Sequence, residues 1–235
     1  MNIIDIMVLI VIGVSVIFGM HRGFISGVLS VAALIGAAML AFMTSGALAA
    51  WLSSNETLVE TLMYYTDAGS RVSNLDLSLM SVSQVSSSAL AQILQSANLP
   101  AAFESAFITA VESASASMTA RAMTIAELLS QTIVNVSISI LSFLICFFLS
   151  YIVATFVIHL VNYVFELPVL RHLDALIGGI FGLVRGVLLV FILFSLIPIV
   201  LAVAPVPMIE ELIAASKLAP MFDSQLILSI LRGGI

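Results

Sequence analysis

Apolar positions gather into four long runs, and each run predicts a helix that crosses a membrane. The first covers residues 3–20, with Asp5 as its only acid. Eighteen residues at 1.5 Å each give roughly 27 Å, enough to cross a bilayer. His21-Arg22-Gly23 leaves too little chain for a loop, so the first two runs form an antiparallel hairpin. The second run covers residues 24–43, with an apolar extension to Leu52. Ser26, Ser30, Ala33, Ala37 and Ala41 are spaced by three or four and give it a small-residue packing face. The third run, residues 133–165, is longer than a bilayer needs and must tilt or project beyond the lipid. The fourth runs from Leu176 to Val203. Pro198 kinks or ends it, and Pro205 and Pro207 close it.

Between the second and third runs the pattern changes. Residues 53–132 are rich in serine and alanine and hold no apolar window of membrane length. Two amphipathic segments stand out there. Residues 85–97 carry Leu90, Ile93 and Leu94 on one side. Residues 100–122 start behind Asn98 as a helix cap, with Pro100 near the first turn and Phe103, Phe107 and Val111 at helical spacing. The region is expected to be a helical extramembrane insert, with a disordered loop as the rival reading. The predicted fold is therefore an all-α polytopic membrane protein with four transmembrane helices. Residues 1–52 form one transmembrane hairpin, 53–132 the insert, 133–204 a second hairpin and 205–235 a short amphipathic tail.

Composition agrees. Of 235 residues, 62% are apolar and 9% charged, where a soluble domain carries about 25% charge. Lipid is therefore a partner. The net charge of -6 comes with no basic cluster, so nucleic acid is not. The lone Cys146 rules out an intramolecular disulfide and a cysteine-rich metal site. The three histidines are scattered, and neither Gly-x-Ser-x-Gly nor His-Glu-x-x-His occurs. No cofactor or metal is expected, and a membrane-embedded protease is the least supported reading. Trp51 falls where the chain leaves the bilayer, an ordinary place for an indole. Asn55-Glu56-Thr57 matches a glycosylation sequon with no supporting context. His159, Asn162 and Tyr163 lie near the end of the third run, where a hydrogen-bonding histidine is expected.

The chemistry-bearing positions cluster around Phe181-Gly182-Leu183-Val184-Arg185-Gly186. Gly178, Gly182 and Gly186 recur every fourth residue and form a smooth helix-packing stripe. Phe18-Gly19-Met20-His21-Arg22-Gly23 repeats the Phe-Gly-x-x-Arg-Gly wording, and Gly23 and Gly27 belong to the same packing set. Arg22 and Arg185 either anchor topology by snorkelling to headgroups or form ion pairs. Asp174 lies about 16 Å along the helix from Arg185, too far to pair with it. Asp174 is expected to meet Arg22, and Arg185 to reach lipid phosphate, Glu166 or an oligomer partner. Asp5 is expected to cap its helix, the alternative being a partner for an arginine on a neighbouring helix. Arg22, His21, Arg171 and His172 lie in the short connections, which places those connections in the cytoplasm and both termini and the insert outside.

The Asn2-Ile3-Ile4-Asp5 start, Arg22-Gly23-Phe24, and the series Asp174, Gly178, Gly182, Arg185, Gly186 resemble the colicin V production (CvpA) family of bacterial inner-membrane proteins. The likeness covers residues 1–43 and 133–203. It implies a multi-pass protein of the cell inner membrane, needed for colicin V toxin production or export and for wider envelope functions. It brings no catalytic residues. The insert is larger than the family leads one to expect between the second and third spans. The leading functional expectation is a non-catalytic homo-oligomer, or an assembly with other membrane and export proteins. The alternative is a small oligomeric transporter or channel subunit, in which the two Arg-Gly elements would be a degenerate internal repeat and an arginine pair facing an aqueous cavity would suit an anion.

Overall fold

A computed structural model describes residues 2–66, 75–97, 99, 101–116, 123–164, 171–197, 201 and 207–222. Among these, ordered structure is helical. In chain order the helices are α1 (Ile3–Ser53), α2 (Glu56–Thr66), the single-turn α3 (Leu75–Ser78), α4 (Ser87–Ala97), α5 (Ala101–Ala116), α6 (Ile125–Val164), α7 (Arg171–Phe194) and α8 (Pro207–Ala214). Short 3-10 turns occupy Val82–Gln84 and Ala219–Phe222. Three helical stretches are long and apolar enough to cross a membrane: Ile3–Ser53, Ile125–Ile158 and Asp174–Phe194. The two runs expected as separate spans lie together in α1, which is broken at Gly23 rather than by a loop.

The chain divides into two compact units. One comprises Met1–Gly46, Leu141–Leu196 and Pro207–Ile235; the other comprises Ala47–Ile140 and Ile197–Val206. In the first unit the buried face of residues 24–46 is Gly27, Val31, Leu34, Ala37, Ala41 and Ser45, at spacings of three and four. The stripe of small residues seen in the sequence overlaps this face at Ala37 and Ala41; Ser26, Ser30 and Ala33 are half-buried beside it. Phe42 packs on Phe143 with ring centroids 4.8 Å apart, and Phe143, Phe147 and Tyr151 continue the stack along α6. The outward residues include Met39, Met43, Phe156 and Ile180, as a surface that meets lipid requires.

The second unit has its own apolar centre. Ile93 of α4, Phe103 and Phe107 of α5, and Ile125, Leu129 and Ile133 of α6 are fully buried in one cluster. A second cluster joins Leu52, α2 and the Val134–Ile138 turn of α6. Here α6 begins eight residues before the expected start of the third run. Thr124 and Glu127 explain where. The Thr124 N–H donates to Glu127 Oε2 (3.0 Å) and the Glu127 N–H donates to Thr124 Oγ1 (3.3 Å), a reciprocal capping box. An isolated bridge between Ser81 and Thr124 fixes the same point, through Val82 N–H to Met123 O and Ile125 N–H to Met80 O. Asn55 of the sequon caps α2, its Oδ1 accepting from the Leu58 N–H. Asn98, Pro100, Arg71, Arg121, Glu166, Pro168, Pro198, Pro205 and Arg232, and the side chains of His159, Asn162, Tyr163, Arg171 and His172, lie outside the described residues.

Candidate functional site: the glycine seam and its arginine

Gly23 sets the geometry of the first unit. Its φ of 80° and ψ of −179° lie where an L side chain is strained. A Cβ there would fall on the carboxylate of Asp174. That carboxylate instead accepts the Phe24 N–H at 2.6 Å. Phe24 opens the helix that restarts after the break, and Asp174 satisfies one of its unpaired N–H groups from a different helix. Gly19 and Gly27 both lie against Gly178. Eight residues of uninterrupted helix would separate them by about 12 Å. The chain therefore doubles back at Gly23, and Phe24 closes the turn on Phe181, ring centroids 5.7 Å apart.

The segment before Gly23 runs antiparallel to α7, and the two touch backbone to backbone. A Cβ on Gly182 would lie 2.5 Å from the carbonyl oxygen of Ser15 and 3.0 Å from the Cα of Val16. One on Gly186 would lie 3.0 Å from the Cα of Ile12, and one on Gly19 would lie 2.8 Å from the Cα of Gly182. One on Gly178 would meet the carbonyls of Gly19 and Gly23. Real Cβ atoms essentially never come within 3.0 Å of backbone, so Gly19, Gly178 and Gly182 admit no side chain without a shift, and the fit at Gly186 is tight. The two copies of the Phe-Gly-x-x-Arg-Gly wording thus pack on each other through their first glycines, 19 and 182. By contrast Gly13, Gly36 and Gly46 have open space where a Cβ would go.

Close approach lets side chains bridge the seam. Ser15, which is buried, donates its hydroxyl to the Gly182 carbonyl at 2.7 Å. The Nε–H of half-buried Arg185 donates to the same Ser15 Oγ at 3.0 Å. Among the described residues no acid pairs with Arg185, and Arg22 is exposed with no ion pair to Asp174. Asp174 is turned to the Gly23–Phe24 backbone instead.

Asp5 organises the other end of the seam. Its Oδ2 accepts the Asn2 N–H at 2.9 Å, which caps the first turn of α1. Its Oδ1 accepts the Ser216 hydroxyl (2.6 Å) and the N–H groups of Lys217 and Leu218 (3.1 Å each). The Asn2 side chain adds a bond to the Leu212 carbonyl of α8. Behind this clasp Phe222 packs on Phe194, with Val8 and Val190 in the same cluster. Among the described residues no group of His, Cys, Asp and Glu could hold a metal ion.

A family model described as Colicin V production protein matches residues 4–94 and 101–226. The chain belongs to this family. No curated protein and no solved structure matches it significantly. The match spans both helices of the glycine seam, the helical cluster centred on Phe107 and the tail that clasps Asp5. This member of the colicin V production family is a membrane protein, and its apolar helices are transmembrane helices. Three contributors to its site escape a reading of the sequence: Ser15, Ser216 and the capping role of Asp174. Ser15 carries the one legible signal, a hydroxyl in the middle of an otherwise apolar run.

Proposed function

We propose that this protein is a non-catalytic, multi-pass component of the bacterial inner membrane that serves colicin V production or export and envelope maintenance. In this reading α1 crosses twice, once on each side of Gly23, and α6 and α7 add a third and a fourth crossing. A helix of 51 residues would extend about 77 Å if straight, more than twice the hydrocarbon core. Residues 53–132 then form the extramembrane insert and residues 205–235 a tail. The short connections near residues 21–23 and 166–174 face the cytoplasm, and both termini face outward. The assembled state is a homo-oligomer or a complex with export proteins.

The family match carries this reading, and the glycine seam supports it, because such close helix packing serves assembly in lipid rather than chemistry. The test is toxin release from a colicin V-producing strain that lacks this protein. Halos on a sensitive lawn should shrink, then recover with the wild-type chain but not with Gly182→Leu. Unchanged halos in the deletion strain would reject the role. A second reading, a small oligomeric transporter or channel subunit, is favoured by one observation: the arginine of the seam has no acid to neutralise it among the described residues.

A further inference from the structure

We infer that Arg185, positioned by Ser15, forms an anion-binding site at the mid-depth of the membrane, taking a small water-borne oxyanion with one carboxylate- or phosphate-like group. The inference rests on the proposed crossing of the bilayer by α7 and by the segment before Gly23. Asp174–Phe194 is the apolar stretch of α7, and Arg185 stands next to its middle residue, Val184. At 1.5 Å per residue Arg185 lies about 16 Å from the Asp174 end and about 13 Å from the Phe194 end. Its side chain reaches about half that far, so it cannot place its charge among headgroups at either end. The seam gives the same depth independently. Ser15, its partner, lies within a turn of the middle of residues 3–22.

An arginine within a membrane span is costly unless its donors and charge are met. Ser15 satisfies only the Nε–H, and it does so with a hydroxyl whose own proton is committed to Gly182. The Nη groups have no acceptor among the described residues and keep the planar fork that suits a carboxylate or phosphate. Among the described residues no acid lies at this depth. Asp5 is held by Asn2 and the tail, Asp174 is held by Phe24, and both lie toward helix ends. No other acid lies in residues 3–53 or 174–194, and the only acid of α6, Glu127, is in its first turn. A second copy therefore cannot supply the counter-charge from these helices. A lipid phosphate stays at the interface. What remains is an anion that enters from water.

The test uses the full chain in nanodiscs of neutral phosphatidylcholine. Thermal unfolding is followed with sodium acetate or inorganic phosphate, against sodium chloride at matched ionic strength. A ligand bound only by the folded state raises the midpoint as its concentration passes its dissociation constant. Wild type should show a saturable rise, and Arg185→Gln should show none. Arg185→Lys, which loses one charge-assisted hydrogen bond of the fork, should bind about tenfold more weakly, and Ser15→Ala, which frees the guanidinium it positions, should also weaken binding, by less. If Arg185→Gln does not accumulate, those two variants decide. Adding phosphatidylglycerol in place of the free anions should leave the midpoint unchanged; a rise that depends on Arg185 would identify a lipid headgroup and reject a water-borne ligand. Equal responses in wild type and the variants, or no response to either anion, would overturn the site. A spin label at Leu183→Cys, on a Cys146→Ser background, separates the two possible failures. A label at mid-depth with no anion response rejects only the site. A label at the interface rejects the placement of α7 in the bilayer.

Discussion

Gly182 is where one added methyl group should tell most. Its Cβ would meet the Ser15 carbonyl oxygen at 2.5 Å, and a backbone oxygen in a packed helix has little room to retreat. Gly182→Ala should therefore cost about 1–3 kcal/mol, as overpacking does. Gly36→Ala is the control: nothing lies within 4 Å, and alanine favours the helix over glycine by up to about 1 kcal/mol. The two variants should shift the thermal midpoint in opposite directions. A shared direction would mean that the seam is not a tight contact. Asp5 gives a second test. It holds the backbone of Lys217, the only lysine in the chain, so a lysine-specific protease cuts at one place. Asp5→Ala should speed that cleavage severalfold, and Asp5→Asn, which keeps an acceptor oxygen, should speed it less. Equal rates in all three proteins would show that the clasp does not hold the tail.

Among the elements, α5 and α6 show how much the sequence makes legible. Phe103, Phe107 and Val111 stand at helical spacing in the sequence and are buried in the structure. Phe107→Ala should cost about 3–5 kcal/mol and loosen the cluster it shares with Ile93 and Leu129, read as faster amide exchange across α4 and α5. Unaltered exchange would place Phe107 outside the core. The start of α6 is less legible. Hydropathy marks where the continuous apolar run begins, near Ile133, whereas the helix begins where Thr124 and Glu127 cap it. The box is visible as Thr-x-x-Glu, but the serine-rich surroundings hide it. Arg185 is harder still. Counted from the start of its apolar run it sits nearer one mouth; its depth and its bond to Ser15 depend on the register of two helices more than 150 residues apart. Local periodicity carries no information about that register. The same reason hides Asp174, whose carboxylate serves a helix start in another part of the chain, and Ser216, which belongs to no apolar run.

At the scale of the whole molecule, the reversal at Gly23 decides how often α1 crosses the bilayer. Without it α1 is one continuous rod, and the first and last residues of that rod lie on opposite sides of the membrane. With it, in the proposed reading, residues 3–22 and 24–53 become two crossings whose outer ends return to the same side, and Gly19 and Gly27 share Gly178 as a neighbour. Gly19, Gly23 and Gly27 give the reversal its room, and Asp174 holds its first N–H. The most direct test is labelling from one side of the membrane with a charged thiol reagent, using single cysteines on a Cys146→Ser background. Ile3→Cys and Ser53→Cys should both react in intact cells, and His21→Cys only after permeabilisation. Reaction of Ile3→Cys and Ser53→Cys from opposite sides would contradict the reversal.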